Sequence, residues 1–195
     1  SAPHLALATL LSAGIGLPAQ AERAIFAGGC FWCVESAFQE LPGVSAAVSG
    51  YTGGTLENPD YQSVSGGDTG HYEAVEITFD PALISYRELL DIYWTTIDPL
   101  DQGGQFCDRG TSYLSAVFVL DEAQRADAEA SKAAAQRRLG PGQPIVTPIL
   151  AAATFYPAED YHQDYYRKNP LRYKYYRWGC ERDERLEELW GPQGD

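Results

Sequence analysis

The stretch Ala24-Ile25-Phe26-Ala27-Gly28-Gly29-Cys30-Phe31-Trp32-Cys33-Val34 decides how this chain folds. Its four leading apolar residues, closed by a glycine pair, read as a short buried strand. Beyond the turn, Phe31, Val34, Phe38 and Leu41 recur at helical spacing, which predicts a helix over 31–41 that Pro42-Gly43 ends. A strand that feeds a helix through Gly-Gly places Cys30 where the helix opens. Peptide N–H groups and the positive end of the helix dipole favour negative charge there, so a thiolate is favoured. The glycines also let a substrate approach the backbone closely. A buried structural cysteine is the bland alternative for Cys30, and the flanking glycines weigh against it.

Outward from this segment the pattern continues. Val44 to Tyr51 alternates as a strand would, and Thr52 to Gly70, with its glycines and Pro59, reads as a long loop of the kind that usually serves function. Val75, Ile77 and Phe79 alternate into a half-buried strand that stops at Asp80-Pro81. Ser85 and Glu88 form a capping box that opens a helix reaching Trp94. A second glycine-bearing loop spans 98–110, a strand runs from Ala116 to Leu120, and an alanine-rich helix from Asp121 to Leu139. Further expectations are a strand over 145–151, a helix over 157–168 stopped by Asn169-Pro170, and a charged final helix over 181–190. The central order β-α-β, β-α-β predicts an α+β fold. Its expected form is a split βαβ (ferredoxin-like) two-layer sandwich with long functional loops and a C-terminal tail.

Composition narrows the function. The 195 residues suffice for one ordinary domain with a real core. A formal charge of −13 opposes binding to phosphate backbones, so nucleic acid is not an expected partner. Four cysteines, Cys30, Cys33, Cys107 and Cys180, are too few for a disulfide scaffold in a chain of this length. A structural zinc usually shows two close ligand pairs, whereas here only Cys30 and Cys33 are close, so no metal is expected and redox chemistry remains. His71 and His162 are not spaced as a metal pair. The apolar run Leu5–Leu17 followed by Ala19-Gln20-Ala21 has the form of an export signal. That reading makes 1–21 a leader and 22–195 a single catalytic domain in a periplasmic or secreted protein, with a cytoplasmic one as the alternative. No other segment looks like a membrane span, and the expected working unit is a monomer.

Gly29-Cys30-Phe31-Trp32 resembles the signature of the peptide methionine sulfoxide reductase A family. Further similar pieces follow in order. They are Gly50-Tyr51-Thr52-Gly53-Gly54, Asn58-Pro59 with Tyr61, Asp68-Thr69-Gly70-His71 with Glu73-Ala74-Val75, Asp108 with Gly110-Thr111 and Tyr113, and Phe155-Tyr156 with Ala158-Glu159-Asp160 and His162-Gln163. The resemblance implies that Cys30 attacks the sulfoxide sulfur, that Glu73 delivers a proton to its oxygen, and that Tyr61 and Tyr113 hydrogen-bond that oxygen. Phe31 and Trp32 would hold the ε-methyl group, and Asp108 would help position the substrate or the Glu73 network. The implied substrates are oxidised proteins or free methionine sulfoxide, of the S epimer. No bound cofactor is implied, only an external thioredoxin-like dithiol. The chemistry agrees with these roles: a sulfoxide oxygen leaves only when protonated, burial can hold a proton on Glu73 near neutral pH, and tyrosine hydroxyls can stabilise charge developing on oxygen.

Attack by Cys30 leaves a sulfenic acid that a second thiol should close into a disulfide. The resemblance places a mobile recycling cysteine in the segment after Asn169-Pro170, so Cys180 is the first choice for that thiol, Cys107 the second and Cys33 the third. The chain departs from the family's commonest pattern at Cys33, where many members carry glycine, at Arg109, where many carry histidine, and at Leu114, where arginine is frequent. It also lacks a glycine-rich cysteine run at the C-terminus. Two rival classes are a Cys-x-x-Cys dithiol carrier or sensor, which would not need Glu73, Tyr61 and Tyr113, and a binding module, which would survive loss of Cys30.

Overall fold

The computed structural model describes residues 20–192, so the apolar run Leu5–Leu17 lies outside the described residues. The chain opens with β1 (Glu22–Gly28) and α1 (Phe31–Phe38), then β2 (Val44–Thr52), the short α2 (Tyr61–Ser65), β3 (Tyr72–Phe79) and α3 (Tyr86–Trp94). A two-strand hairpin follows, β4 (Gly104–Gln105) with β5 (Asp108–Arg109), and then a 3-10 turn at Thr111–Tyr113, β6 (Ser115–Val119) and α4 (Glu122–Leu139). The remainder is β7 (Ile149–Ala151), β8 (Tyr156–Pro157), a second 3-10 turn at Asp160–His162, α5 (Tyr165–Lys168), α6 (Pro170–Gly179) and α7 (Arg182–Trp190).

The main sheet has six strands in the order β7-β6-β1-β3-β2-β8. β3 lies between β1 and β2 and is antiparallel to both, and β6 is antiparallel to β1. Only β7 joins in parallel, beside β6. The fold is therefore a mixed α/β one with a central mixed sheet. β1 is buried on both faces, as its unbroken apolar run requires. On one face Phe26 meets Phe38, Tyr86 and Tyr93 at ring separations of 5.4, 6.3 and 4.8 Å. On the other, Ile25 and Ala27 join Ala74, Ala116 and Phe118 under Tyr72, Leu150 and Phe155. α3 starts at the expected capping box: Glu88 N–H donates to Ser85 Oγ at 3.1 Å, and Ser85 N–H donates to Glu88 Oε2 at 2.7 Å. α4 lays Gln124, Ala128, Ser131 and Ala135 along α3, where the Trp94 indole donates to Ser131 Oγ at 2.8 Å.

The C-terminal third differs from the sequence expectation. The helix expected over 157–168 is instead the edge strand β8, a 3-10 turn and the one-turn α5. Asn169-Pro170 ends the short α5 as expected but also begins a further helix, because a proline at the first helical position lacks only an N–H that has no intrahelical partner anyway. The segment expected to be a movable tail is thus α6, with Tyr173 buried on the domain. The strand expected over 145–151 shortens to β7, since Pro144 and Pro148 supply no N–H. Within the loop 52–70, Asp60 and Ser63 cap α2 reciprocally, the Ser63 N–H donating to Asp60 Oδ1 at 2.8 Å. The first helix stops at Phe38, one turn short of Leu41.

Gly29 has φ +81°, and a Cβ there would sit 2.5 Å from Gln105 Cβ. Gln105 cannot yield readily, because its side chain bonds Asp98 N–H at 2.9 Å and Asp98 O at 2.6 Å. Gly29→Ala should therefore combine left-handed strain with overpacking, a loss of about 2–4 kcal/mol. Urea unfolding checks this; a midpoint equal to that of the unmodified chain would show that the turn relaxes freely.

Candidate active site

Cys30 is the N-cap of α1, in a non-helical conformation (φ −57°, ψ 118°), and its carbonyl accepts from Cys33 N–H at 3.1 Å and Val34 N–H at 3.4 Å. The left-handed turn at Gly29 aims it away from β1. Glu73 projects from β3 to the same spot, and its Oε2 accepts the Phe31 N–H at 3.0 Å. A free amide of the helix start thus holds the acid one residue from the thiol. Glu73 is only 3% exposed. Burial pushes its carboxyl up to about 8 against the Phe31 hydrogen bond, with the negative charges of Asp108 and Cys33 adding to the rise.

Cys30, Phe31, Trp32, Tyr61, Glu73, Asp108, Tyr113 and Tyr176 line one cavity of about 230 Å³. Seven of these are the residues that the sequence pointed to, and they come from α1, α2, β3, β5 and the 3-10 turn after it. Burial together with Glu73 keeps the Tyr61 and Tyr113 phenols protonated. Trp32 forms the outer wall. Tyr165 stacks on it at 3.7 Å with planes 6° apart, and its indole N–H donates to His162 Nδ1 at 3.1 Å. Phe31 is fully buried against the Tyr51 and His162 rings.

Three supports escaped the sequence reading. Tyr176 of α6 donates its hydroxyl hydrogen to Asp108 Oδ2 in a short hydrogen bond and meets the Trp32 ring edge-on. Glu35, buried on α1, accepts from Ser49 Oγ at 2.5 Å and from Asp164 N–H at 2.7 Å, which fastens α1 to β2 and to the start of α5. Arg182, buried at the start of α7, donates to Thr96 O at 2.7 Å and Gly28 O at 3.3 Å and lies 4.3 Å over the Phe106 ring. None belongs to a local motif; each acts across long sequence separations, and an arginine in a charged terminal helix reads as solvated.

The cysteines fall into two pairs. Cys30 and Cys33 are free thiols, 6% and 1% exposed, while Cys107 and Cys180 form a disulfide with Cα atoms 4.9 Å apart. Cys180, expected in a movable tail, instead caps the C-terminus of α6 and does not line the cavity. Cys107, Asp108 and Cys180 are the one trio among the described residues with donors close enough for a metal ion, and two of those donors are bonded to each other. In the buried pair Cys33 is the thiol whose ionisation its surroundings favour. A hydrogen bond from the Cys30 thiol and the nearby Arg182 and Arg177 bring Cys33 down to about 6. Cys30 moves upward, through burial first and then through its hydrogen bond to Cys33 and the negative charge there. The helix start alone predicts a thiolate on Cys30, but burial holds that thiol up while its hydrogen bond to Cys33 and the two guanidiniums favour charge on Cys33.

Comparison with known proteins places this arrangement. Residues 22–193 match the family model described as peptide methionine sulfoxide reductase. The peptide methionine sulfoxide reductase MsrA 2 of Rhizobium meliloti is 53% identical over 90% of this chain and 88% of its own. Among solved structures, Mxr1 of Saccharomyces cerevisiae in reduced form superposes with a TM-score of 0.73 at 31% identity, covering 77% of this chain and 87% of that one. The structure of Mxr1 in complex with Trx2 shares the fold, with a TM-score of 0.53 at 20% identity over 77% of this chain and 91% of the other.

The division of charge can be measured without substrate. Ultraviolet titration of the thiolate should show a midpoint near 6 that Cys33→Ser abolishes. A midpoint that survives in Cys33→Ser and vanishes in Cys30→Ser would put the charge on Cys30 instead.

Proposed function

The chain belongs to the peptide methionine sulfoxide reductase family and reduces methionine sulfoxide to methionine, and from that premise we propose how its residues divide the work. The observation that carries the reading is the single cavity in which a thiol, a protonated carboxyl, two phenol hydroxyls and an aromatic wall converge. The substrate's ε-methyl group rests against Phe31 and Trp32, and its oxygen faces Tyr61, Tyr113 and Glu73. Cys33 draws the proton from Cys30, the Cys30 thiolate attacks the sulfoxide sulfur, and Glu73 gives its proton to the oxygen. The protonated oxygen passes from the substrate sulfur to the Cys30 sulfur, so that methionine leaves, Cys30 is a sulfenic acid and Glu73 is left as a carboxylate. Asp108, held by Tyr176, positions the wall that the tyrosines share.

The Cys33 thiol then attacks the Cys30 sulfur, expelling the oxygen as water and closing a Cys30–Cys33 disulfide. Because Cys30 is an N-cap with extended ψ, outside the helical turns, this closure does not require an unwound helix. Cys180 keeps a recycling role, but in the second pair: a Cys107–Cys180 dithiol reduces Cys30–Cys33 and becomes the disulfide that an external thioredoxin-like dithiol reopens. Exposure supports this order, since Cys107 is exposed and both Cys30 and Cys33 are buried. The existence of an Mxr1 structure in complex with Trx2 favours that class of reductant. We read the scaffold, on the central order β6-β1-β3-β2, as the ferredoxin-like split βαβ sandwich. We read the substrate as the S epimer in oxidised proteins, with the free amino acid also accepted, and Leu5–Leu17 with Ala19-Gln20-Ala21 as an export signal. Export is tested by fractionation, where an uncleaved cytosolic chain would refute it.

The deciding experiment is methionine release in a single turnover without reductant. Cys30→Ser should release none, and Cys33→Ser should release one methionine more slowly, for want of the base, and then stall with Cys30 as a sulfenic acid, detectable by mass spectrometry. Near-normal release from Cys30→Ser would sink the mechanism.

The pH dependence of that first step follows from the two shifted groups. Cys33 acts as base only above its value of about 6, and Glu73 acts as acid only below its value of about 8. The rate should rise through the first and fall through the second. Glu73→Gln should remove the falling limb and slow the step by roughly 10²–10⁴-fold.

A further inference from the structure

α6 carries an apolar face with nothing packed on it. Leu171, Tyr175 and Trp178 are 81%, 74% and 71% exposed, and they sit at i, i+4 and i+7, so they form one stripe opposite the buried Tyr173. The Tyr175 and Trp178 rings touch, with centroids 6.1 Å apart. Arg172 and Lys174 are both exposed and rim the stripe on its two sides. Residues 165–179 hold Arg167, Lys168, Arg172, Lys174 and Arg177 and no acidic residue, in a chain whose net charge is −13. Arg167 is paired with Glu40, and Arg177 with Asp183, whereas no ion pair is found for Arg172 or Lys174 among the described residues. Local positive charge around exposed aromatic residues is what an interface core and its rim look like.

The stripe runs to the end of α6 that carries the disulfide, although Cys180 itself lies on the domain side of the helix with Tyr173 and Tyr176. Trp178 lies two residues before Cys180, which caps the same helix with its N–H bonded to Tyr176 O at 3.0 Å, and Cys180 is joined to the exposed Cys107. A protein that brings a thiol to this disulfide must lie against the C-terminal end of α6.

We propose that the Leu171–Tyr175–Trp178 face, rimmed by Arg172 and Lys174, is the docking surface of the reducing protein, a thioredoxin-like dithiol with acidic groups around its attacking thiol. This rests on the reading of Cys107–Cys180 as the terminal disulfide. One partner thiolate attacks Cys107 Sγ, the Cys107–Cys180 bond breaks, and Cys180 leaves as a thiolate that takes up a proton. The partner's second thiol then attacks its own bonded sulfur and releases Cys107. The partner ends as a disulfide, and the chain gains two electrons and two protons.

The test compares the full chain with the triple variant Leu171→Ser, Tyr175→Ser, Trp178→Ser. Steady-state turnover is measured once with purified thioredoxin and once with dithiothreitol, which needs no docking face. The thioredoxin KM should rise at least about tenfold, with dithiothreitol turnover unchanged. Arg172→Glu with Lys174→Glu should raise the same KM and flatten its dependence on salt. An unchanged thioredoxin KM in the triple variant would overturn the docking face, and so would an equal loss with both reductants. A raised KM for an oxidised protein substrate with thioredoxin unaffected would assign the stripe to substrate. Loss of sedimentation with anionic phospholipid vesicles, with thioredoxin again unaffected, would assign it to a membrane. Cys107→Ser separates the underlying reading. If it retains thioredoxin turnover, the terminal disulfide itself is wrong; if it blocks that turnover while the triple variant keeps its KM, only the docking face is wrong.

Discussion

The hydrogen bond from the Phe31 N–H to Glu73 Oε2 is the contact on which the rest of the site depends. A carboxyl that is 3% exposed would ordinarily find a cation or several donors, or else stay neutral. Here it has a single amide from a helix start, which orients the group without supplying enough stabilisation to ionise it. The carboxyl keeps its proton to about 8 and points it into the cavity. A second amide or a nearby guanidinium would hold the side chain as firmly and cost it the proton. The two arginines of this region stand on the Cys33 side instead, where they lower a thiol.

That separation of charge explains why a Cys-x-x-Cys sits on a helix whose dipole could serve one cysteine alone. The dipole favours whichever sulfur loses its proton, and the choice falls to the side chains around it. Glu73 and Asp108 face Cys30, and Arg177 and Arg182 influence Cys33. A resting thiolate on Cys33 accepts the Cys30 proton at short range, so the nucleophile need not be ionised before substrate arrives. The arrangement also protects it, because oxidants react with accessible thiolates and the charged sulfur here is the one that is 1% exposed.

Much of this was legible in the sequence where the signal was local. The buried β1, the Gly-Gly turn, the Ser85–Glu88 box and the alanine-rich α4 each follow from neighbouring residues. The site residues were legible because they fall within short ordered segments that resemble one family. What escaped depends on contacts across the chain. Pro170 looked like a stop because a proline following a charged stretch ends many helices, yet the same residue suits a first turn once α6 has Tyr173 and Tyr176 to bury. The region 157–168 looked helical by composition, but Pro157 pairs with Gly50 of β2 and only 165–168 form a helical turn. The pairing of Cys107 with Cys180 spans 73 residues and leaves no trace in spacing.

The placement of Cys180 changes how recycling must be understood. A cysteine on a loose tail could travel to the sulfenic acid, at an entropic cost each time the tail is ordered. A cysteine at the end of α6 cannot travel without freeing Tyr176 from Asp108 and Tyr173 from Ser36, with which it shares a 2.7 Å hydrogen bond. The helix therefore serves the wall of the cavity and the disulfide at once. Reduction of Cys107–Cys180 removes one tie between α6 and the β4–β5 hairpin while those hydrogen bonds remain. Electron delivery and cavity shape are thus joined through one short helix.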